Sequence, residues 1–235
     1  MQDLLPRSRP KREKIADPAA HADRYGTGPF RPVREVDLWG GSARHYTTVK
    51  HFGLVDGVRW YNNCGPTAVT NLLAMYRERT EPGTDDLRRA RALYAGTARF
   101  GTRRLYFINS RNRFLRGTSD LRAGSYLRRM FVRAAGVRPA VLLRRATEEN
   151  LRRALDRGSL LYLLLHRHPE YGNHHTAVYG YTVLRSETTG EERVYLKMSD
   201  GHAAAPRYLD LADLKGRLRF FYEIRFPPEG APPSA

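Results

Sequence analysis

The sequence predicts an α+β protein, and two observations carry that expectation. Apolar residues recur at helical spacing through the first half of the chain, whereas after Gly158 the pattern changes to short apolar runs divided by Gly, Pro or charged turns. Helices therefore crowd the first half and an antiparallel sheet the second, giving two lobes with a cleft between them.

Residues 1–43 are rich in Pro, Arg, Asp and Gly without a sustained period and read as a flexible or draped leader whose end Trp39 can pin. The run His45-Tyr46-Thr47-Thr48-Val49 has strand character. A helix from about Cys64 to Arg77 follows, with Pro66 just inside its start, where a missing N–H costs little, and Leu72, Leu73 and Tyr76 on an apolar stripe. A short helix over 85–94, capped by Thr84 or Asp85, comes next. Residues 99–116 interleave arginines with Phe100, Tyr106, Phe107 and Phe114. An edge loop or strand with its aromatics inward explains that mixture more simply than base stacking. Thr118 or Ser119 caps a helix reaching Ala135 and stopped by Gly136, and a further helix runs from Thr147 to Asp156. Strands are then expected at 160–165, 176–184, 192–198, 207–209 and 217–226, ahead of a Pro-rich, disordered tail over 227–235. The domain organisation is thus a leader (1–43), one folded domain (44–226) and a tail.

A chain of 235 residues with 41% hydrophobic content can bury a core of its own. One cysteine excludes an internal disulfide framework. No apolar run reaches membrane-spanning length, and the N-terminus lacks the apolar centre of a signal peptide. A cytoplasmic location is the default, with secretion by a non-classical route left open. Net charge is +17, and only five of the 41 basic residues are lysines, so the surface will attract polyanions. The arginines are spread along nearly the whole chain, which argues against a dedicated nucleic-acid face.

The chemistry centres on Cys64. At a helix entry, free amides and the positive end of the helix dipole favour thiolate over thiol, which suits a nucleophile. The simpler alternative is a small buried hydrophobe. A nucleophilic cysteine needs a base held by a third polar group. His174, after a turn and at the mouth of a strand, and Asp200, at the end of the next strand, fit those roles, because adjacent antiparallel strands bring one start beside the other end. His175 would then point to the opposite face of the sheet. His166 and His168 lack a third ligand at metal spacing and read as a solvated loop. No metal or organic cofactor is needed.

Three blocks resemble the papain-like cysteine peptidases. Asn63-Cys64-Gly65-Pro66-Thr67-Ala68 with Asn71 is similar to the bacterial branch related to peptidases that cut double-glycine leader peptides. Asn173-His174 followed by Gly180-Tyr181 resembles the histidine strand of that family, and Ser199-Asp200-Gly201 with Arg207-Tyr208 its third block, Asp standing for the Asn of papain. The resemblance implies a helical lobe on an antiparallel sheet lobe and thiol-protease chemistry on a peptide or protein substrate by a Cys64–His174–Asp200 triad. Transglutaminase-like acyl transfer or side-chain deamidation by the same triad, and a non-enzymatic basic module, are the alternatives. Where papain-like enzymes place an oxyanion-hole glutamine, six residues before the cysteine, this chain has Val58. Asn62 or Asn63, with the Cys64 amide, would take that role.

Overall fold

The computed structural model describes residues 14–39, 45–47, 63–84, 86–101, 103–108, 114–214 and 220–227. Its elements are α1 (Pro18–Tyr25), β1 (Phe30–Asp37), α2 (Cys64–Thr80), α3 (Leu87–Gly101), β2 (Arg103–Ile108), β3 (Phe114–Gly117) and α4 (Ala123–Ala135), then β4 (Ala140–Arg145), α5 (Glu148–Asp156), β5 (Leu160–His168), β6 (Gly172–Ser186), β7 (Glu192–Ser199), β8 (Arg207–Asp210) and β9 (Phe220–Arg225). The architecture is α+β, with a seven-stranded antiparallel sheet in the order β4-β9-β5-β6-β7-β8, and β1 paired to β6.

At the start of α5 and the end of α4 the local signals act as the chemistry requires, whereas the cap expected from Thr118 or Ser119 is not made: Ser119 forms no side-chain capping bond, and Thr118 Oγ1 has no partner among the described residues. Thr147 caps α5 by accepting from the Asn150 N–H, and Gly136 closes α4 at φ 65°, a left-handed conformation that glycine adopts without a Cβ penalty. The wholly apolar start of β5 is buried at every residue from Leu160 to Leu165, because helices cover both sheet faces. On one face α2 and α4 supply Ala68, Val69, Leu72, Leu73, Leu127 and Phe131, which pack on Tyr162, Leu164, Ala177, Tyr179 and Tyr222. On the other, Leu151, Ala154 and Leu155 of α5 pack on Leu161, Leu163, Leu165, Val178, Tyr181 and Val183.

Helix α2 is buried all round from Gly65 to Met75 rather than along one stripe. The sheet lies on one side, and on the other Ala74 meets Ala90, Tyr94 and Ala98 of α3. A helix buried on every side must satisfy its polar side chains internally. Asn71 does so by gripping Tyr46, accepting from its N–H at 2.9 Å and donating to its carbonyl at 2.9 Å. Residues 45–47, expected as a strand, are held by this clamp and not by a sheet; Thr48 and Val49 lie outside the described residues.

The leader expected over 1–43 is a correction. Asp17 caps α1 by accepting from Ala19 and Ala20, Pro18 occupies its first turn, and β1 pairs with β6 from Phe30↔Ser186 to Asp37↔Gly180. Ile15 bridges to Tyr208. Residues 30–37 are therefore part of the sheet, and residues 1–13 and 40–43 lie outside the described residues. Residues 99–116 include the β2–β3 hairpin, whose side chains lie outside the description, as do residues 228–235 of the tail. Among the described residues no helix is long and apolar enough to cross a membrane.

Candidate active site

Cys64 is the first residue of α2, and its side chain is only partly exposed. The backbone amides of His175, Gly65 and Cys64 itself turn toward the sulfur and favour the thiolate, as the helix start leads one to expect. Burial outweighs them, and the Asp120 charge adds to it, so the thiol is pushed up from its ordinary value. The resting sulfur is a thiol.

Which histidine faces it is decided by the pleat. Successive strand residues point to opposite faces, and in β6 the residues Ala177 and Tyr179 belong to the α2 face. His175 shares their parity. Its Nδ1 lies 2.6 Å from the Tyr162 hydroxyl and its Nε2 lies 3.2 Å from Oδ1 of Asp120. Because a carboxylate only accepts, Nε2 carries the hydrogen and Nδ1 presents a lone pair to the Tyr162 O–H. A β-carbon built on Gly65 would stand 3.1 Å from that same hydroxyl, so Nδ1 is the ring nitrogen turned toward the start of α2.

Asp120 sits in the single 3₁₀ turn before α4 and holds two histidines, His175 at Oδ1 and His166 at Oδ2, the latter also at 3.2 Å. The hydrogen bond from His175 keeps its carboxyl below the usual range, against the effect of burial. Its backbone carbonyl accepts from the Tyr222 hydroxyl at 2.7 Å, which fixes the turn to the sheet. Tyr162, Leu164 and His166 alternate on β5 and bring this face to the same place.

His174 and Asp200, expected as the partners of Cys64, stand on the far face. His174 is buried and stacked on Tyr171, a residue of the α5-side core, and its Nε2 donates to the Asp200 backbone carbonyl at 2.7 Å. The Asp200 carboxylate accepts from the backbone N–H of His202 and Ala203 and from the Tyr171 hydroxyl. Strand adjacency does bring His174 to Asp200, but on the side away from α2. Burial lowers the His174 pKa to about 4, so this ring is neutral near pH 7. Asn63 is buried and donates through Nδ2 to the Tyr94 hydroxyl at 2.7 Å; Asn62 lies outside the described residues.

Asp120 and Tyr162 are not among the residues expected at the site, and His166 and His168, expected in a solvated loop, lie in β5. Asp120 carries no local signature beyond its place in a helix entry. Tyr162 and His166 could have been found from their shared parity in β5. The arrangement supplies a thiol, an imidazole with its basic nitrogen turned toward the helix bearing that thiol, and a carboxylate behind the ring. No protein-family profile matches the chain, and no curated protein matches it.

Proposed function

We propose that the chain is a papain-like cysteine hydrolase that cleaves peptide or amide bonds, with Cys64 as nucleophile, His175 as acid and base, and Asp120 as the group that orients His175. One observation carries the reading. The imidazole on the strand under α2 is held by a carboxylate at Nε2, which leaves Nδ1 free of hydrogen on the side of the Cys64 helix. His175 and Asp120 replace the His174 and Asp200 of the sequence-based triad.

The reaction starts from the thiol. As the Tyr162 hydroxyl gives up its hydrogen bond to Nδ1 and the sulfur forms its bond to the substrate carbonyl carbon, the thiol proton passes to His175 Nδ1 and the carbonyl π pair moves onto oxygen. Collapse breaks the C–N bond, and the amine leaves with the proton from Nδ1. Water then gives a proton to Nδ1 and attacks the thioester, and the departing sulfur takes that proton back. Asp120 stabilises the imidazolium at each stage.

Incubation with a peptide library, read by mass spectrometry, tests this. Cleavage should be lost in Cys64→Ala and in His175→Gln. Cleavage that survives Cys64→Ala would overturn the reading. The charge of +17 favours a second one, a basic module that grips polyanions, for which binding should weaken steeply with salt and ignore Cys64→Ala.

A further inference from the structure

We propose that the Thr118 hydroxyl is the side-chain donor that receives the acyl oxygen when Cys64 attacks, an inference that rests on the hydrolase reading above. Thr118 is buried, and among the described residues its Oγ1 has no hydrogen-bond partner. A buried hydroxyl without a partner is unfavourable and calls for an explanation. Its position supplies one.

A β-carbon on Gly65 would lie 2.0 Å from Thr118 Oγ1 and 2.5 Å from its Cβ, so the hydroxyl is packed against the first turn of α2, one residue from the nucleophile. The residue at 65 must be glycine for Thr118 to come that close. In the resting protein the other donors nearby are engaged, Tyr162 with His175 and Asn63 with Tyr94, and Thr118 Oγ1 is not. The loop that carries Thr118 is pinned on its far side, where Ser119 accepts from the Arg122 N–H and Asp120 from Tyr222. Thr118 is β-branched as well, so its hydroxyl stands in few orientations.

The step balances without a further reagent. The S–C bond forms, the carbonyl π electrons become a lone pair on oxygen, the thiol proton goes to His175, and the new oxyanion accepts hydrogen bonds from Thr118 Oγ1–H and the Cys64 amide. Expulsion of the amine restores the carbonyl, whose neutral oxygen is the weaker acceptor. The hydrogen bond from Thr118 is thus strongest while charge sits on the acyl oxygen, which lowers the barrier more than the ground state.

Thr118→Val keeps the shape and removes the hydroxyl, and Thr118→Ser keeps the hydroxyl. The measurements are kcat and KM on a cleaved peptide, the thermal midpoint, and affinity for a peptide aldehyde. Addition of the aldehyde to the Cys64 thiol places an oxygen where the acyl oxygen would stand. For Thr118→Val we expect kcat and aldehyde affinity to fall roughly 100-fold with KM nearly unchanged and the midpoint kept or raised, and we expect Thr118→Ser to restore most of the loss. A wild type that cleaves peptide and binds aldehyde while Thr118→Val does both equally well overturns this inference alone. So does a fall in kcat that tracks a lowered midpoint in both variants, which marks a packing role. A wild type that neither cleaves peptide nor binds aldehyde overturns the hydrolase reading and this inference with it.

Discussion

His175 Nε2 stands 3.2 Å from Oδ1 of Asp120, and that contact decides which ring nitrogen holds a hydrogen. Under the proposed mechanism it also gives two neighbouring histidines different roles. His175→Gln should abolish turnover, by about 10³-fold or more, since the base is lost while a polar side chain remains. His174→Gln keeps an N–H that can reach the Asp200 carbonyl and should leave kcat within about tenfold of wild type. Steady-state kinetics on one cleaved peptide checks both; the reverse order would return the base to His174.

The Tyr162 hydroxyl is the partner of His175 Nδ1 in the resting protein. Tyr162→Phe removes it and leaves the nitrogen of a mostly buried ring unpaired, at a cost of about 1–3 kcal/mol. Urea unfolding should show a lower midpoint at an unchanged slope. An unaltered midpoint would mean that this bond contributes nothing in solution.

Acid should unfold the protein earlier than carboxylates alone would make it. Burial lowers both His45 and His174 to about 4, below the ordinary imidazole value of 6.5. The unfolded chain therefore binds protons that the folded one refuses, and stability, complete above pH 6.5, is lost as pH falls toward about 4. Each ring contributes up to about 1.4 kcal/mol per pH unit within that window. Thermal midpoints measured across it should slope downward toward acid, and His174→Gln should make the slope shallower.

Gly180 lies where β1 docks on β6, and a β-carbon there would stand 2.2 Å from the Val36 carbonyl. Backbone cannot give way as a flexible side chain can, so Gly180→Ala should cost about 1–3 kcal/mol or more. Limited proteolysis should then cut within residues 30–37 faster than in the parent protein, where pairing with β6 holds them.

Much of this fold was legible because its signals are local. Thr147 and Gly136 bound their helices as capping chemistry dictates, and β5 announced itself by a continuous apolar run. The start of α1 was equally readable, Asp17 before Pro18 being a cap ahead of a first-turn proline. Strand β1 was not, because it leaves residues 31–35 exposed and carries Pro32, so no alternation marks it. Cys64 was legible from its place at a helix entry. His175 was not, since choosing between adjacent histidines needs the face of β6. An extra residue at Tyr179, between the Val178↔Met198 and Gly180↔Lys197 pairs, inverts the alternation partway along that strand. Val178 thereby shares a face with Tyr181 and Val183, and counting back from the Gly180-Tyr181 end misleads. Asp120 reaches His175 only through tertiary packing, which no local pattern encodes.

Strand β6 is bonded to β5 along its first half, to β1 along its second, and to β7 across most of its length. Its amides between Thr176 and Leu184 can meet solvent deuterons only when the whole sheet comes apart, so they should exchange at the rate of global opening. His175 stands just before this stretch, where β6 is bonded to β5 alone, so the backbone under that imidazole can open at lower cost than the centre of the sheet.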